Sequence, residues 1–296
     1  MAAEDPNHVF QPLQITISGQ AGSGKSVLIH TICSAIRNLF QRTDACYVCA
    51  PTGSAAFSAG GKTIHSLFGI GTKTTADDDI SPTLRKRLQA KFANIVALII
   101  DERSLLSSNL LSRMQSYANK TFHRGQNEGT IWGNVPIVLL VGDDFQLPSI
   151  DTGAFDALIT NVTQLKSLLK QGSRKLGHMR YGQLLFQKAG QKVMSLSVSK
   201  RTQSSQSYFR YLLQCLRGAT PEHLSEEDIS FLASNYHIMS PKFSEDDRKK
   251  LAHEALFLFA TKQPRNIFNR IRLQETHSAT NPVARVRSQT TKKASL

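Results

Sequence analysis

The sequence is best understood from the stretch Gly19-Gln-Ala-Gly-Ser-Gly-Lys-Ser26. It lies between an apolar run at 13–18 and a segment at 27–40 whose apolar residues recur with the period of a helix. The glycines let backbone N–H groups turn inward, and the following helix adds the positive end of its dipole. The stretch matches the pattern G-x-x-x-x-G-K-[ST], so we expect it to bind phosphate groups.

Every residue of this loop is predicted to contact the phosphates, namely Gly19, Gln20, Ala21, Gly22, Ser23, Gly24, Lys25 and Ser26. The ammonium group of Lys25 would neutralise the β- and γ-phosphates, and the hydroxyl of Ser26 would reach a magnesium ion. The alternative is a glycine-rich turn with an exposed lysine. The complete pattern, with a strand before it and a helix after it, favours the phosphate site.

Short apolar runs recur along the chain and indicate the fold class. They occupy 13–18, 45–50, 95–100, 135–141, 193–198 and 255–260. Several of them, above all 95–100, are continuously apolar, whereas 13–18 alternates. Segments with helical periodicity, at 29–40 and 209–216, lie between them. Continuous apolar strands separated by amphipathic helices are typical of a parallel sheet with helices on both faces, so we predict an α/β fold.

Two acidic residues follow the most apolar of these runs. Asp101 and Glu102 come directly after 95–100, at the end of a predicted strand where ligands of α/β sheets bind. Asp101 would hold magnesium, directly or through water, and Glu102 would orient or deprotonate an attacking water. The alternative is a helix N-terminus, because Asp is a good cap and Glu suits a first turn. Gln146, after the run at 135–141, could sense the γ-phosphate or be an ordinary loop residue.

Composition limits the class of protein and suggests its partner. The chain has 36 Lys and Arg against 22 Asp and Glu, a net charge of +14, and 40% hydrophobic residues. A folded protein with an anionic partner such as nucleic acid is expected. No apolar run is long enough for a transmembrane helix. The four cysteines do not suggest a disulfide scaffold, and Cys46 and Cys49 lie in a predicted buried strand, so a reducing, intracellular compartment is expected.

The order of further motifs resembles that of the Pif1 DNA helicases, superfamily-one motors related to RecD. The most specific stretch, Ala50-Pro-Thr-Gly-Ser-Ala-Ala-Phe-Ser-Ala-Gly-Gly-Lys-Thr-Ile-His-Ser-Leu-Phe-Gly-Ile70, is similar to motif Ia of that family. Residues 101–107, 142–148 and 196–201 resemble motifs II, III and IV. The segment 255–262, with Asn266 and Asn269, resembles the first strand and helix of the second motor domain.

This resemblance implies a P-loop NTPase with a RecA-like sheet, using ATP and magnesium to move 5′ to 3′ on single-stranded DNA. Such helicases act in DNA repair, recombination and telomere maintenance, and a monomer on single-stranded or forked DNA is expected, in the nucleus if the source is eukaryotic. The family pattern makes Asp101 and Glu102 the hydrolysis residues, Gln146 the γ-phosphate sensor and Arg201 an arginine finger. Taken alone, Arg201 would instead be a surface arginine beside Lys200.

Motif Ia contacts the DNA strand in this family. The resemblance to this motif implies DNA contacts at Thr52, Thr63, His65 and Ser66, whose short side chains suit phosphate oxygens. His65 could equally have a structural role as a helix cap. Phe68 could stack on a base or fill the core, and its place between Leu67 and Gly69 favours the core.

The domain organisation expected from these matches is a RecA-like domain at 13–218 that carries motifs I to IV. It is preceded by an extension at 1–12 and followed by a connector at 219–254, the start of a second RecA-like domain at 255–273 and a basic tail at 274–296. The family's last motifs do not follow residue 273. We therefore expect either a helicase by descent, truncated after its first motor domain, or an idle nucleotide- and DNA-binding fragment. A P-loop kinase or transferase fits less well, because of motif Ia.

Overall fold

The computed structural model describes residues 13–71, 80–122, 131–149, 158, 174–201, 207–216, 225–236, 243–255, 257–259 and 261–276. The extension predicted at 1–12 lies outside these residues, as does most of the tail predicted at 274–296. The chain divides into two units, Met1–Ala219 and Thr220–Leu296, and each is described by itself.

The first unit contains six strands that pair in one parallel sheet. The strands are β1 Leu13–Gly19, β2 Cys46–Ala50, β3 Lys62–Thr63, β4 Ala97–Ile100, β5 Ile137–Gly142 and β6 Val193–Leu196. Their order across the sheet is β3-β2-β4-β5-β1-β6, and every pair is parallel. The α/β prediction is confirmed, and five of the six strands fall at the apolar runs found in the sequence.

Seven helices of the described residues accompany this sheet. They are α1 Lys25–Phe40, α2 Gly53–Ser58, α3 Ile64–Phe68, α4 Pro82–Phe92, α5 Ser108–Thr121, α6 Arg174–Ala189 and α7 Ser207–Leu216. Successive side chains of a strand point to opposite faces, so β4 contributes to two cores. Ile99 joins a cluster with Ile29 and Cys33 of α1, whereas Leu98 joins one with Leu111 of α5. Buried residues on both faces explain why this strand is continuously apolar.

Parallel pairing brings the carboxyl ends of β1, β4 and β5 to the same edge of the sheet. These three strands are adjacent in space, although β4 and β5 follow β1 by about eighty residues or more in the chain. Such an edge is where α/β sheets bind ligands, because loops from several strands converge there. The phosphate loop, the acidic pair and Gln146 all follow these three strands.

The second unit contains three described helices, α8 Glu226–Tyr236, α9 Glu245–Glu254 and α10 Lys262–Thr276. Ser244 and Asp247 form a reciprocal capping box at the start of α9. The strand predicted at 255–260 is not formed at the described residues 257–259, where Leu258 is 89% exposed. A strand needs a neighbour to pair with, and the described part of this unit is otherwise helical. The helix expected after it is confirmed as α10.

Two predictions about chemistry outside the site are also testable in the fold. Cys46 and Cys49 are buried on β2, and burial raises the pKa of both thiols, so the buried-strand interpretation is confirmed. Among the residues that the structure describes, no group of three metal-ligating side chains occurs and no helix has the length and apolar character needed to cross a bilayer.

Candidate nucleotide site and nucleic-acid interface

The predicted phosphate loop joins the end of β1 to the start of α1. Gly22 and Gly24 have φ angles of 79° and 94°, in the left-handed region that glycine enters without a steric cost. Gly19 is required for space, because a Cβ there would lie 2.4 Å from the Ser23 hydroxyl. The backbone therefore forms the tight turn that the sequence pattern predicts.

Lys25 lies over this loop, at the first position of α1. Its Nζ donates hydrogen bonds to the carbonyl oxygens of Gly19, at 2.7 Å, and Gln20, at 3.2 Å. The Ser23 hydroxyl is buried without a hydrogen-bond partner among the described residues, and Ser26 is exposed in the first turn of α1. An ammonium group, an unsatisfied hydroxyl and a helix N-terminus surround one turn, and a phosphate group would satisfy all three.

The acidic pair follows β4 as predicted. Asp101 is only 6% exposed, and its Oδ1 accepts a hydrogen bond of 2.8 Å from the backbone N–H of Glu102. Glu102 has a φ angle of 52°, an unfavourable conformation for a residue with a side chain. The alternative of a helix N-terminus is met in position only: Glu102 precedes a single 3-10 turn, Arg103–Leu105, without a side-chain cap bond, and Ser107 caps the next α-helix, α5.

Burial controls the ionisation of both carboxyl groups. It raises the pKa of Asp101, and the Glu102 N–H and the charge of Lys25 oppose this shift. Burial also raises the pKa of Glu102, with a further increase from the charge of Asp101, a decrease from Lys25 and a smaller increase from Asp143. Lys25 therefore acts electrostatically on both acids, and the loop and the acidic pair belong to one site.

Gln146 lies in a turn after β5. Its backbone N–H donates a 3.1 Å hydrogen bond to the carbonyl oxygen of Asp143, and its side chain is half-buried. The Asp143 side chain stabilises the same turn by accepting a 3.2 Å bond from the N–H of Phe145. The turn holds Gln146 at the edge of the sheet that carries the phosphate loop.

Two residues of this region were not singled out from the sequence. Arg103 is 1% exposed and forms a two-pronged ion pair with Asp144, with 2.9 Å between Nε and Oδ1. The sequence signal was an arginine and an aspartate at the ends of two different strands, 41 positions apart. Their pairing becomes recognisable once the strand order shows that β4 and β5 are neighbours.

Arg201 lies beside the phosphate loop. The backbone N–H of Lys200 donates a 2.8 Å hydrogen bond to the carbonyl oxygen of Gly22. A Cβ on Gly22 would lie 2.4 Å from the Cβ of Arg201, so the two segments are packed backbone to backbone. The Arg201 side chain is exposed at this point, within reach of the loop that the sequence assigns to phosphate.

The four predicted DNA contacts lie on the same edge of the sheet, with Thr52 after β2, Thr63 at the end of β3, and His65 and Ser66 after it. Thr52 caps α2 by accepting a 3.2 Å bond from the N–H of Ala55, and Thr63 caps α3 by accepting one of 3.2 Å from Ser66. Each hydroxyl keeps its own hydrogen for donation. Ser66 is exposed and His65 half-buried, and Thr63, rather than His65, caps the helix.

Two neighbouring residues of motif Ia serve packing. Phe68 is fully buried, with its ring centroid 5.6 Å from that of Phe92, so the favoured interpretation as a core residue is confirmed. A Cβ on Gly61 would lie 2.3 Å from the carbonyl oxygen of Val48. This glycine is therefore explained by its contact with β2, without DNA.

Residues 6–221 match the family model described as PIF1-like helicase. The chain belongs to this family. Among curated PIF1 relatives, it is 35% identical over 150 residues to the ATP-dependent DNA helicase PIF1 of Saccharomyces cerevisiae (strain YJM789). The aligned residues make up 50% of this chain and 16% of that protein. It is 33% identical over 135 residues to the helicase RRM3 of the same species, covering 45% of this chain and 18% of RRM3.

Solved Pif1 structures share the fold of the chain. The crystal structure of the Pif1 helicase from Candida albicans superimposes with a TM-score of 0.58 at 20% identity, covering 90% of this chain and 52% of that one. The Bacteroides Pif1 structure with ADP-AlF3 and ssDNA gives a TM-score of 0.56 at 22% identity, covering 90% and 54%. This chain thus spans about half of the solved PIF1 chains and less than a fifth of the two curated relatives.

Proposed function

We propose that this chain binds and hydrolyses ATP at the edge of its sheet and couples hydrolysis to movement on single-stranded DNA. The observation that carries the proposal is the strand order, which brings the phosphate loop with Lys25, after β1, to the same sheet edge as Asp101 and Glu102, after β4. The charge of Lys25 lowers the pKa of both acids, which agrees with this placement. A cation in a phosphate loop near an acidic pair is the arrangement that nucleotide hydrolysis requires, because the phosphates need positive charge and the attacking water needs a base.

Each side chain has a role in this proposal. The loop residues and Lys25 hold the triphosphate, and Glu102 orients or deprotonates the attacking water. The hydroxyl of Ser26 and the carboxylate of Asp101 are hard oxygen donors that fit Mg²⁺, which would neutralise phosphate charge when bound. Gln146 responds to the γ-phosphate, and Arg201 stabilises charge on the phosphoryl group as it transfers.

The DNA strand is proposed to run along Thr52, Thr63, His65 and Ser66. Hydroxyl groups that cap short helices still donate to phosphate oxygens, and the net charge of +14 favours a polyanion. The proposal includes 5′-to-3′ movement on single-stranded or forked DNA by a monomer. It also includes action inside the cell, in the nucleus of a eukaryote, in repair, recombination or telomere maintenance.

A second candidate function is that of an idle nucleotide- and DNA-binding protein. It is favoured by the finding that the described residues form a single parallel sheet, since a superfamily-one motor closes two RecA-like domains around ATP. Such a protein would bind ATP and DNA but release no phosphate. The two candidates share the binding site and differ only in turnover.

Phosphate release from ATP in the presence of magnesium tests both candidates. The purified chain is assayed with and without a single-stranded oligonucleotide, beside Lys25→Ala and the control variant Asp44→Asn, whose residue precedes β2 at the opposite end of the strand from the site. We expect DNA-stimulated release by the wild type and Asp44→Asn, and none by Lys25→Ala. ATP binding without release in the wild type would support the idle candidate, and equal ATP binding by Lys25→Ala would contradict the phosphate site itself.

A further inference from the structure

Arg103 connects three segments of the site from a fully buried position. Its Nη1 donates a 2.7 Å hydrogen bond to the carbonyl oxygen of Ile17, and its Nη2 donates one of 3.3 Å to the hydroxyl of Ser18. Its Nε and Nη2 donate one hydrogen bond each to the two carboxylate oxygens of Asp144. A planar guanidinium holds its partners in fixed directions, so β1, the end of β4 and the turn after β5 are held in one geometry.

The end of β5 is shaped to receive this arginine. A Cβ on Gly142 would lie 2.7 Å from Cγ of Arg103 and 2.9 Å from its backbone nitrogen. Real Cβ atoms do not approach other atoms this closely, so any larger residue would push the arginine away. Glycine at the end of β5 and arginine after β4 therefore fit together as a pair.

The residues next to this ion pair are the two that the proposed function places at the γ-phosphate. Glu102 directly precedes Arg103 and has a left-handed backbone conformation, which is unfavourable for a residue with a side chain. Such a conformation persists only where the surroundings fix it. On the other side, Asp144 lies two positions before Gln146, in the turn whose backbone bond joins Gln146 to Asp143.

We infer that Arg103 is a positioning residue that couples Glu102 to Gln146 through its ion pair with Asp144. The inference rests on the proposed function. A displacement of the Gln146 turn by the γ-phosphate would move Asp144, and the rigid fork would transmit this movement to the backbone of Glu102. Because Arg103 is buried, separation from Asp144 would leave its charge uncompensated, so the two residues move together. Neither residue contacts the nucleotide in this scheme.

The test compares nucleotide states without relying on turnover. Affinities for ADP and for ADP with aluminium fluoride, which imitates the phosphoryl group in transfer, are measured by titration in the presence of magnesium. The first variant is Asp144→Asn. The Asp144 side chain is 30% exposed, and asparagine keeps its shape while it removes the charge. We expect its ADP affinity to remain near that of the wild type and its preference for the fluoride complex to fall about 10–100-fold, the loss typical of a displaced catalytic group.

Two further variants complete the design. Arg103→Lys keeps the positive charge and loses the two-pronged contact, so it should lose the same preference, and it replaces Asp144→Asn if that variant does not fold. Asp44→Asn removes the charge of a half-buried carboxylate before β2, which lies 3.5 Å from Arg42 and accepts a 2.8 Å bond from Asn94, and it should leave both nucleotide affinities unchanged.

Each outcome has one meaning. A folded variant that keeps the wild-type preference, or that loses both affinities in equal proportion, would overturn the positioning role and leave the proposed function standing. A wild-type chain that binds no ADP would overturn the proposed function and this inference with it. Loss of preference in Asp144→Asn and Arg103→Lys, with Asp44→Asn unchanged, supports the coupling.

Discussion

Two pairs of adjacent acidic residues end neighbouring strands of the sheet, and their surroundings differ. After β4, Asp101 is buried and Glu102 half-buried near the charge of Lys25, without a direct ion pair among the described residues, and burial raises the pKa of each. After β5, the side chain of Asp143 stabilises a turn, and Asp144 forms a bidentate ion pair with Arg103. The pairs look alike in the sequence. The two pairs differ in the contacts of their carboxylates. Those of Asp101 and Glu102 are suited to chemistry, whereas those of Asp143 and Asp144 stabilise the structure.

The largest expected effect that tests the difference between the two acidic pairs is on the rate of ATP hydrolysis. Replacing Glu102 by Gln should lower the rate of ATP hydrolysis by about 10²–10⁴-fold, because an amide cannot accept the proton of the attacking water. ATP binding should remain, since the phosphate loop is untouched. The measurement is steady-state phosphate release beside a titration of ATP affinity. The exposed Glu245→Gln is the matched control, and a Glu102→Gln variant that hydrolyses ATP at the control rate would remove Glu102 from the chemistry.

Much of the fold and of the first acidic pair could be predicted because their signals are local. A continuous apolar run such as 95–100 and a glycine pattern such as 19–26 each lie within a few neighbouring residues. The end of such a strand in a parallel sheet then fixes where Asp101 lies. Phe68 as a core residue depends on an equally short pattern.

The remaining features depend on contacts between distant parts of the chain. Arg103 reaches Ile17 across 86 positions and Asp144 across 41, so its burial has no local sequence signal. Gly61 suggests a DNA contact by its motif, whereas its neighbour is the backbone of Val48. The run at 255–260 has the apolar pattern of a strand, but Leu258 is exposed and unpaired in a sheet. Pairing partners, unlike periodicity, are decided by the tertiary structure.

The next largest effect is on stability, at Gly142, where β5 packs against Arg103, the partner of Asp144. Gly142→Ala should destabilise the protein by about 1–3 kcal/mol, the usual cost of overpacking, because the new methyl group meets Arg103 and its backbone. Urea denaturation measures the free energy of unfolding. Gly177→Ala in α6 is the control, since its Cβ meets no atom within 4 Å and it should stabilise the helix by up to about 1 kcal/mol. Equal effects of the two substitutions would contradict the packing of Arg103 on β5.

A smaller effect of opposite sign is expected at the acidic pair after β4. Asp101→Asn should stabilise the nucleotide-free protein at pH 7, by about 0.5–2 kcal/mol as for other single stabilising substitutions. Burial raises the pKa of Asp101 in the folded state, so its ionised form is less favourable there than in the unfolded chain. The favourable contribution of the carboxyl is present at low pH and is lost as pH rises through the folded-state pKa.

Thermal unfolding across pH, with EDTA present, measures this effect. The advantage of Asp101→Asn should disappear as the pH falls below the raised pKa, because the wild-type carboxyl is then protonated and neutral as well. An advantage that persists unchanged to acid pH would show that charge burial is not its cause. A loss of stability at pH 7 would mean that the carboxylate is already well compensated in the nucleotide-free protein.

The smallest effect links the two pairs. The charge of Asp143 contributes to the raised pKa of Glu102, after burial and the charge of Asp101. Asp143→Asn should therefore lower the pKa of Glu102 and move the acid limb of kcat/KM for ATP hydrolysis to lower pH, since this parameter reports the free enzyme. The ionisation of ATP is the same for both proteins and does not affect the comparison. An acid limb that stays in place, as expected for the control Asp44→Asn, would show that the two acidic pairs titrate independently.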